Sequence, residues 1–142
     1  GNRPNNEPWS IGGDSYRHIR AAILLRERLR PYVMAQMKLA SEEGLPPMRP
    51  VFFDFADDPK AGEVEDQFLF GPDLLVAPIT RFEARSREVY LPIGTEWTCA
   101  WTGERLPGGQ VVEADAPIER IPVYVRGDDA GLVGLFKKVY SE

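Results

Sequence analysis

The feature that most constrains this chain is a change of sequence pattern near Leu74. Before it, residues 14–43 carry apolar side chains at three- and four-residue steps, which is the pattern of one buried helix face. After it, short segments rich in β-branched and aromatic residues alternate with turns built from Gly, Pro and Asp. The sequence therefore predicts an α+β chain whose later part is an antiparallel β-sandwich.

The helical part carries recognisable boundary signals. Asp14 is a candidate N-cap, because its carboxylate can accept hydrogen bonds from the free amides of the first turn. Gly44, followed by two prolines, is a candidate stop signal at the other end. Pro31 falls in the interior, so we expect either a kink there or a second helix that begins after Arg30.

Two further elements are predicted between the long helix and the β-rich part. The segment Met48–Phe55 (MRPVFFDF) has the composition of a strand, with apolar residues on both faces, as in a parallel sheet. Asp57 or Asp58 would cap a short helix that begins at Pro59 and ends at Gly71. The order helix, strand, helix is typical of a piece of an α/β layer.

The β-rich part contains five candidate strands. These strands are the segments LLVAPI, REVYLP, EWTCAW, GQVVEA and IPVYVR. The stretches between them, including residues 102–109, are rich in turn-forming residues and predict loops. Residues 130–140 are rich in apolar side chains and predict a short closing helix.

Charge and cysteine content exclude several classes of partner. The chain of 142 residues has a net charge of −5, which argues against a nucleic-acid partner and against a basic membrane-binding patch. No apolar run approaches the roughly 20 residues that a membrane-spanning helix needs. The single cysteine, Cys99, excludes an internal disulfide and predicts a reducing, cytoplasmic compartment. One cysteine and one histidine make a zinc site unfavourable, and no cofactor is predicted.

Six acidic residues between positions 54 and 66 admit two interpretations. They are Asp54, Asp57, Asp58, Glu63, Glu65 and Asp66. Two carboxylates about 5.5 Å or about 6.5–9.5 Å apart could act on a glycosidic bond. Helix capping and a solvated helix face explain the same residues, and the capping positions favour that explanation. Asp54 is the candidate of most interest, because it ends a predicted strand, where barrel enzymes place functional groups.

Four other side chains are candidates for function, and each also has a structural explanation. His18 could be a base or a metal ligand, but no nucleophile or second ligand lies at helical spacing, which favours a structural role. Cys99 has no activating base nearby and is interpreted as a small apolar residue. Trp97 and Trp101 have an even spacing that predicts one shared sheet face. Core packing is favoured for both tryptophans over a sugar-binding strip.

Several motifs, taken in order, resemble those of one enzyme family. They are Glu7-Pro8-Trp9, Leu29-Arg30-Pro31-Tyr32, MRPVFFDFADDP, DQFLFGPDLLVAPI, REVYLP, WTGERLPGG and IPVYVRGD. In this order and spacing they resemble glycoside hydrolase family 31, the retaining α-glucosidases and α-xylosidases. The resemblance covers about residues 7–128 of the chain.

The resemblance implies an architecture with two domains. Residues 1–72 would form the terminal helix–strand–helix segment of a (β/α)8 barrel, with MRPVFF as its eighth strand. Residues 73–142 would form the C-terminal β-sandwich domain with its short closing helix. The stretch after Arg126 departs from the commoner pattern of the family and looks like a natural C-terminus.

The resemblance also implies a function for the longer parent protein. Members of the family hydrolyse O-glycosyl bonds of α-linked oligosaccharides and α-glycosides in carbohydrate metabolism, using an aspartate nucleophile and a second aspartate as acid/base. The Trp-x-Asp-x-Asn-Glu and Arg-x-His-Gly motifs that mark this chemistry have no match here, since His18 has different neighbours. We therefore assign no catalytic residue and expect the chain alone to be inactive. Trp9 is the one candidate substrate contact, at the barrel rim.

The sequence leaves open two alternatives to a glycosidase fragment. The chain could be a non-catalytic carbohydrate-binding module or a structural β-sandwich module. As a barrel fragment it would expose strand edges and an apolar helix face. We therefore expect the fragment to form a homo-oligomer in which Val51–Phe55 are covered.

Overall fold

The fold is given by a computed structural model that describes residues 13–81, 83–117, 120–137 and 139. Two α-helices and eight strands make up most of this part of the chain. They are α1 (Gly13–Glu43), β1 (Met48–Pro50), β2 (Phe68–Phe70), β3 (Leu74–Val76), β4 (Ser86–Leu91), β5 (Glu96–Cys99), β6 (Arg105–Pro107), β7 (Gln110–Asp115), β8 (Val123–Arg126) and α2 (Ala130–Gly134).

The strands form two antiparallel sheets. Six of them are arranged in the order β1-β2-β3-β8-β5-β6, and β4 pairs with β7 in a separate two-stranded sheet. The five predicted strands of the β-rich part are all present as β3, β4, β5, β7 and β8. Strand β6 lies inside the stretch that was predicted to be a turn, so that prediction is wrong. Its three residues pair with β5 across a tight connection that contains Gly103, whose φ is +81°.

The six-stranded sheet separates two hydrophobic clusters. Leu75 and Trp97 point toward the two-stranded sheet and pack with Val89 of β4. Leu74 and Val125 point to the opposite face, where the core is completed by α2 and by one side of α1. The side chains of neighbouring β3 residues therefore pack in different hydrophobic clusters, because side chains alternate between the two faces of a strand.

Helix α1 is attached to the sheet at the turn between β2 and β3. The Tyr32 hydroxyl donates a hydrogen bond to the carbonyl of Phe70 at 2.8 Å and accepts one from the Asp73 amide at 3.2 Å. Gly71 sits under this hydroxyl with φ +62°, and a Cβ at that position would lie 2.2 Å from the Tyr32 oxygen. Only glycine allows both the turn and the contact. Burial raises the pKa of Tyr32 to about 12.

The boundaries of α1 confirm part of the sequence analysis. Gly44 has φ +73° and its amide donates to the carbonyl of Ala40 at 3.1 Å, so it ends the helix as predicted. The helix begins at Gly13, so Asp14 lies within the first turn and the prediction that it is the N-cap is wrong. Pro31 is accommodated inside a single element, without a second helix beginning after it.

The prediction of a strand over Met48–Phe55 is wrong beyond Pro50. Strand β1 ends at Pro50 and is followed by a 3-10 helix over Val51–Phe53. The strand pairs antiparallel with β2, so the predicted parallel arrangement is wrong as well. Proline has no amide hydrogen to continue a ladder. The Arg49 side chain also binds Asp54 only five residues later, which bends the chain back on itself.

The short helical elements are partly as predicted. A 3-10 helix spans Pro59–Glu63 and is capped by Asp58, as expected, but it ends at Glu63. Gly71 therefore does not end this helix. Helix α2 begins where the closing helix was predicted, and Asp129 caps it by accepting a hydrogen bond from the Leu132 amide at 3.0 Å.

In the part of the chain that the structure describes, no helix is long and apolar enough to cross a membrane.

Candidate functional site

Arg49, the middle residue of β1, forms a buried ion pair with Asp54. Its side chain is only 5% exposed and donates to both carboxylate oxygens of Asp54, at 2.8 and 3.2 Å, and to the carbonyl of Pro46 at 2.8 Å. The guanidinium also lies 4.8 Å from the ring centroid of Phe53. The ion pair thus holds the 3-10 turn after β1 in one shape, with its charge compensated by a bidentate partner.

Asp58 links the connection between β1 and β2 (residues 51–67, the β1–β2 connection) to the rest of the fold. Its buried carboxylate accepts hydrogen bonds from the Tyr90 hydroxyl at 2.6 Å, the Ile93 amide at 2.9 Å and the Lys60 amide at 3.0 Å. Burial alone would raise the pKa of Asp58, but the hydrogen bonds from Tyr90 and the amides outweigh it and lower the pKa below its ordinary value. Burial and the Asp58 carboxylate raise the pKa of Tyr90 to about 12.

The β1–β2 connection is fixed to the sheets at two further points. The Phe55 ring lies between Trp97, at 5.6 Å between ring centroids, and the Arg126 guanidinium, at 4.6 Å. Near the end of the connection, the buried Gln67 amide group donates to the Tyr90 carbonyl at 2.9 Å and accepts from the Tyr90 amide at 2.7 Å. Residues 55, 58 and 67 therefore anchor the β1–β2 connection to the sandwich.

The outer side of the connection is apolar and uncovered. Phe52 and Phe53 are 48% and 41% exposed, whereas Val51 and Phe55 are buried by the chain itself. The prediction that a second copy covers Val51–Phe55 is therefore wrong for these two buried members. The exposed pair of aromatic rings directly follows the C-terminal end of β1, so it is the part of this region that is free to meet another surface.

The acidic cluster separates into engaged and solvated members. Asp54 and Asp58 are held by the donors described above, which confirms the capping interpretation for Asp58. The other four carboxylates are exposed, and Asp66 pairs with Arg87 at 3.0 Å. A carboxylate whose pKa is lowered by three donors is a poor general acid at neutral pH. The arrangement supplies rigid positioning of the chain rather than proton transfer.

The remaining candidates take structural positions. Trp97 is fully buried and its indole donates to the Pro92 carbonyl at 3.0 Å, which confirms core packing. Trp101 lies in the turn after β5 and packs with Phe136 on the opposite side of the sheet, so the predicted shared face is wrong. Cys99 is half-buried beside the core. The strand ends before Trp101, which breaks the two-residue alternation.

The sequence analysis also named His18 and Trp9. His18 is half-buried on α1, and the described ranges contain no group of three or more acidic, histidine or cysteine side chains able to hold a metal ion. Trp9, the candidate substrate contact, lies outside the described residues.

An open cleft lies beside the two-stranded sheet. It has a volume of about 420 Å³ and is lined by polar side chains that include Ser86, Arg87 and Glu113. Arg87 already donates hydrogen bonds to the carbonyls of Asp66 and Pro78, at 3.0 and 2.8 Å, and the Ser86 hydroxyl donates to the Glu113 carboxylate at 2.6 Å. The polar side chains named here already form hydrogen bonds within the protein, which favours a structural role for this cleft over ligand binding.

Comparison with known proteins decides the family. The model of the glycosyl hydrolase family 31 C-terminal domain matches residues 44–130, more than half of the chain. This chain belongs to glycoside hydrolase family 31. The match crosses the junction between the helical and β-rich parts, and it includes the Arg49–Asp54 turn and the capped helix at Asp58.

Two solved structures and one further relative support the assignment. A family 31 α-xylosidase from a soil metagenome, solved with xylose, is 50% identical and superimposes with a TM-score of 0.85 over 92% of this chain. A family 31 α-xylosidase from Xanthomonas citri is 44% identical, with a TM-score of 0.79 over 87% of the chain. Alpha-glucosidase 2 of Bacillus thermoamyloliquefaciens is 36% identical over 93% of it. The family 31 chain spans only 19%, 14% and 17% of the lengths of these three proteins.

Sequence reasoning missed the residues that organise this region. Arg49 was considered only as part of a strand, and the partners of Asp58 are 32 and 35 residues away along the chain. One signal was available for Arg49. An arginine inside an otherwise apolar strand must find a counter-charge, and Asp54 was the nearest acidic residue that followed it.

Proposed function

We propose that this chain is the C-terminal part of a retaining α-glycosidase of the α-xylosidase type, and that it supplies scaffold rather than catalytic groups. The observation that carries the proposal is the 50% and 44% identity to two α-xylosidases of the same family. Relatives with other named activities are less similar than these two, at 42% for a 1,3-alpha-isomaltosidase and 36% for an α-glucosidase, and two further α-xylosidases are 35% and 37% identical. The substrate class would be an α-xyloside or an α-linked xylose-containing oligosaccharide, and the site of action the cytoplasm.

The chain would occupy two domains of the parent protein. Helix α1 would complete a (β/α)8 barrel as its last long helix, and the two sheets would form the following β-sandwich. Strands β1 and β2 would belong to the sandwich, because they lie in the same antiparallel sheet as β3 and β8. Two features support contact with a barrel: Phe52 and Phe53 are exposed, and α1 has an uncovered apolar stripe. The members of that stripe are Tyr16, Ile19, Ile23, Met34 and Met37.

The reaction would proceed in two steps on groups outside this chain. An aspartate would attack the anomeric carbon to form a glycosyl-enzyme intermediate, and a second carboxyl group would protonate the leaving oxygen and then activate water. Helix α1 would close the barrel, and the two sheets would pack beside it. Trp9 is proposed as a contact at the rim. Without a barrel to cover them, α1 and the Phe52–Phe53 pair would favour pairing of two copies.

A carbohydrate-binding module is the less supported alternative. Such a module would need an exposed aromatic strip on the sandwich. Trp97 is fully buried in the core, and Trp101 is half-buried against Phe136. The family match and the engaged carboxylates favour a structural contribution to a hydrolase.

Exchange of the homologous segment tests the proposal. We would replace the aligned C-terminal stretch of the Xanthomonas citri α-xylosidase with this chain and measure hydrolysis of 4-nitrophenyl α-xyloside. We expect kcat/KM within about tenfold of the parent enzyme, because the 44% identity and the shared fold preserve the surfaces that meet the barrel. The matched control lacks the segment altogether and should be inactive. A soluble, folded chimera without activity on the α-xyloside would contradict the proposal.

A further inference from the structure

The apolar stripe of α1 lies on the side of the helix that points away from the two sheets. On the inner side, Arg28 donates hydrogen bonds to the carbonyls of Leu135 and Lys137, at 3.1 and 2.6 Å, and Tyr32 binds the turn between β2 and β3. Ile23 precedes Tyr32 by nine residues, about two and a half helical turns, so its side chain points to the opposite side. The stripe as a whole is 39–60% exposed and comprises Tyr16, Ile19, Ile23, Met34 and Met37.

The outer face of α1, which consists of this stripe and the exposed residues Arg26, Glu27 and Arg30, is symmetrical along the helix. Apolar side chains lie at both of its ends, and the three charged residues lie between them. When a second copy of the helix runs antiparallel with its centre between positions 26 and 27, position 16 lies opposite 37, 19 opposite 34, 23 opposite 30 and 26 opposite 27. A two-fold dimer requires this symmetry, because the same surface is used on both sides, whereas a partner of unrelated sequence does not.

The residues that meet in this arrangement are chemically complementary. Ile19 packs on Met34 of the second copy, and the same contact forms again at the other end of the pair, so apolar surface leaves water at both ends. At the centre, Arg26 lies opposite Glu27 of the second copy. Glu27 already accepts hydrogen bonds from Arg30 of its own helix, and its two carboxylate oxygens have capacity for further donors. A parallel pair would instead place like charges opposite each other, which is unfavourable.

We propose that the outer face of α1 is an interaction surface whose partner is a second copy of this chain, bound antiparallel with Arg26 opposite Glu27. The inference rests on the part of the proposed function in which an uncovered α1 pairs with another copy, and it does not depend on the hydrolase activity. In the parent protein the barrel would cover the same face, so the pair forms where the barrel is absent.

Chemical cross-linking of the 142-residue chain tests the arrangement of the two helices. We would prepare Ile19→Cys and Met34→Cys, each with Cys99→Ala to remove the native thiol, and treat them with a short bis-maleimide. A mixture of the two variants should cross-link at least about tenfold faster than Ile19→Cys alone, because two copies of position 19 lie 15 residues, or about 22 Å, apart along the pair. Equal rates for the mixture and for Ile19→Cys alone would overturn the proposed arrangement, and so would the absence of cross-linking from both.

Sedimentation equilibrium measures the strength of the pair. We expect Met34→Glu to raise the dissociation constant of the dimer at least about 30-fold, because each pair would then bury two carboxylates against Ile19. Ile93→Glu is the matched control, since it adds the same charge at a side chain that is 57% exposed in the turn after β4, and it should leave the dissociation constant unchanged. Both positions are exposed in a single copy, so both variants keep the fold. A dimer that withstands Met34→Glu, or a chain that stays monomeric, would overturn the inference.

Exchange of the two central charges tests the pairing of Arg26 with Glu27. Arg26→Glu alone should raise the dissociation constant by a smaller factor than Met34→Glu, because it places two glutamates together. The double variant that also carries Glu27→Arg should return to within about threefold of the unmodified chain, because opposite charges face each other again. Failure of the double variant to recover would overturn the antiparallel pair and leave the activity of the chimera, and with it the proposed function, intact. An inactive chimera would instead contradict the proposed function and leave the pair intact.

Discussion

Replacing Trp97 with alanine is expected to lower the free energy of unfolding by about 3–5 kcal/mol, because Trp97 is the largest side chain that the described residues bury completely. It lies between the two sheets, its ring packs on Phe55, and its indole nitrogen donates to the Pro92 carbonyl. The substitution removes the ring, leaves a cavity and deprives the Pro92 carbonyl oxygen of its hydrogen-bond donor. For a domain with about 5–15 kcal/mol of stability, this loss is a large share of the total.

Chemical denaturation followed by circular dichroism measures the effect of Trp97→Ala. Trp101→Ala is the matched control, because it removes the same side chain from a half-buried position in the same β5 region. We expect the control to lose about half as much stability or less, since less area returns to water. A loss under about 1 kcal/mol for Trp97→Ala would show that the described core does not form.

Replacing Arg49 with alanine is expected to lower the free energy of unfolding by about 3 kcal/mol or more. The change leaves the largely buried Asp54 carboxylate without the cation that compensates its charge, which is the costly way to break a buried ion pair. It also removes the donor to the Pro46 carbonyl and the guanidinium beside Phe53. The turn after β1 should lose its shape together with the stability.

A double-mutant cycle separates the ion pair from the packing of the arginine stem. Asp54→Asn and the combined variant with Arg49→Ala complete the cycle, and urea denaturation supplies the four free energies of unfolding. We expect the double variant to be more stable than the sum of the single losses predicts. Exposed Arg105→Ala, which breaks the surface pair with Glu96, is the control and should cost about 1 kcal/mol or less. Strict additivity at Arg49 and Asp54 would contradict the role of the pair.

The sequence predicted local features of the fold well. Turn residues and β-branched patterns located the five strands of the β-rich part, and Gly44 and Asp58 marked helix ends by chemistry that acts within a few residues. Strand β6 was missed because its three residues include Leu106 as the one apolar side chain, which is too short a run for a pattern.

What the sequence did not predict depends on contacts between distant residues. The end of β1 at Pro50 is a local exception, because Pro50 lacks an amide hydrogen and Arg49 lies only five residues from its partner Asp54. The partners of Asp58 lie on β4 and in the turn beyond it, and no periodicity in residues 51–67 points to them. The requirement for glycine at position 71 likewise comes from Tyr32, 39 residues earlier in the chain. Long-range geometry of this kind needs the structure.

In the proposed function, this family 31 chain contributes scaffold and the reacting groups lie elsewhere in the parent protein. Incubation of the purified, folded 142-residue chain with 4-nitrophenyl α-xyloside and 4-nitrophenyl α-glucoside tests it most directly, with release of nitrophenol as the readout. We predict no release above the buffer blank for either substrate. Turnover of either one by the isolated chain would show that it holds reacting groups of its own.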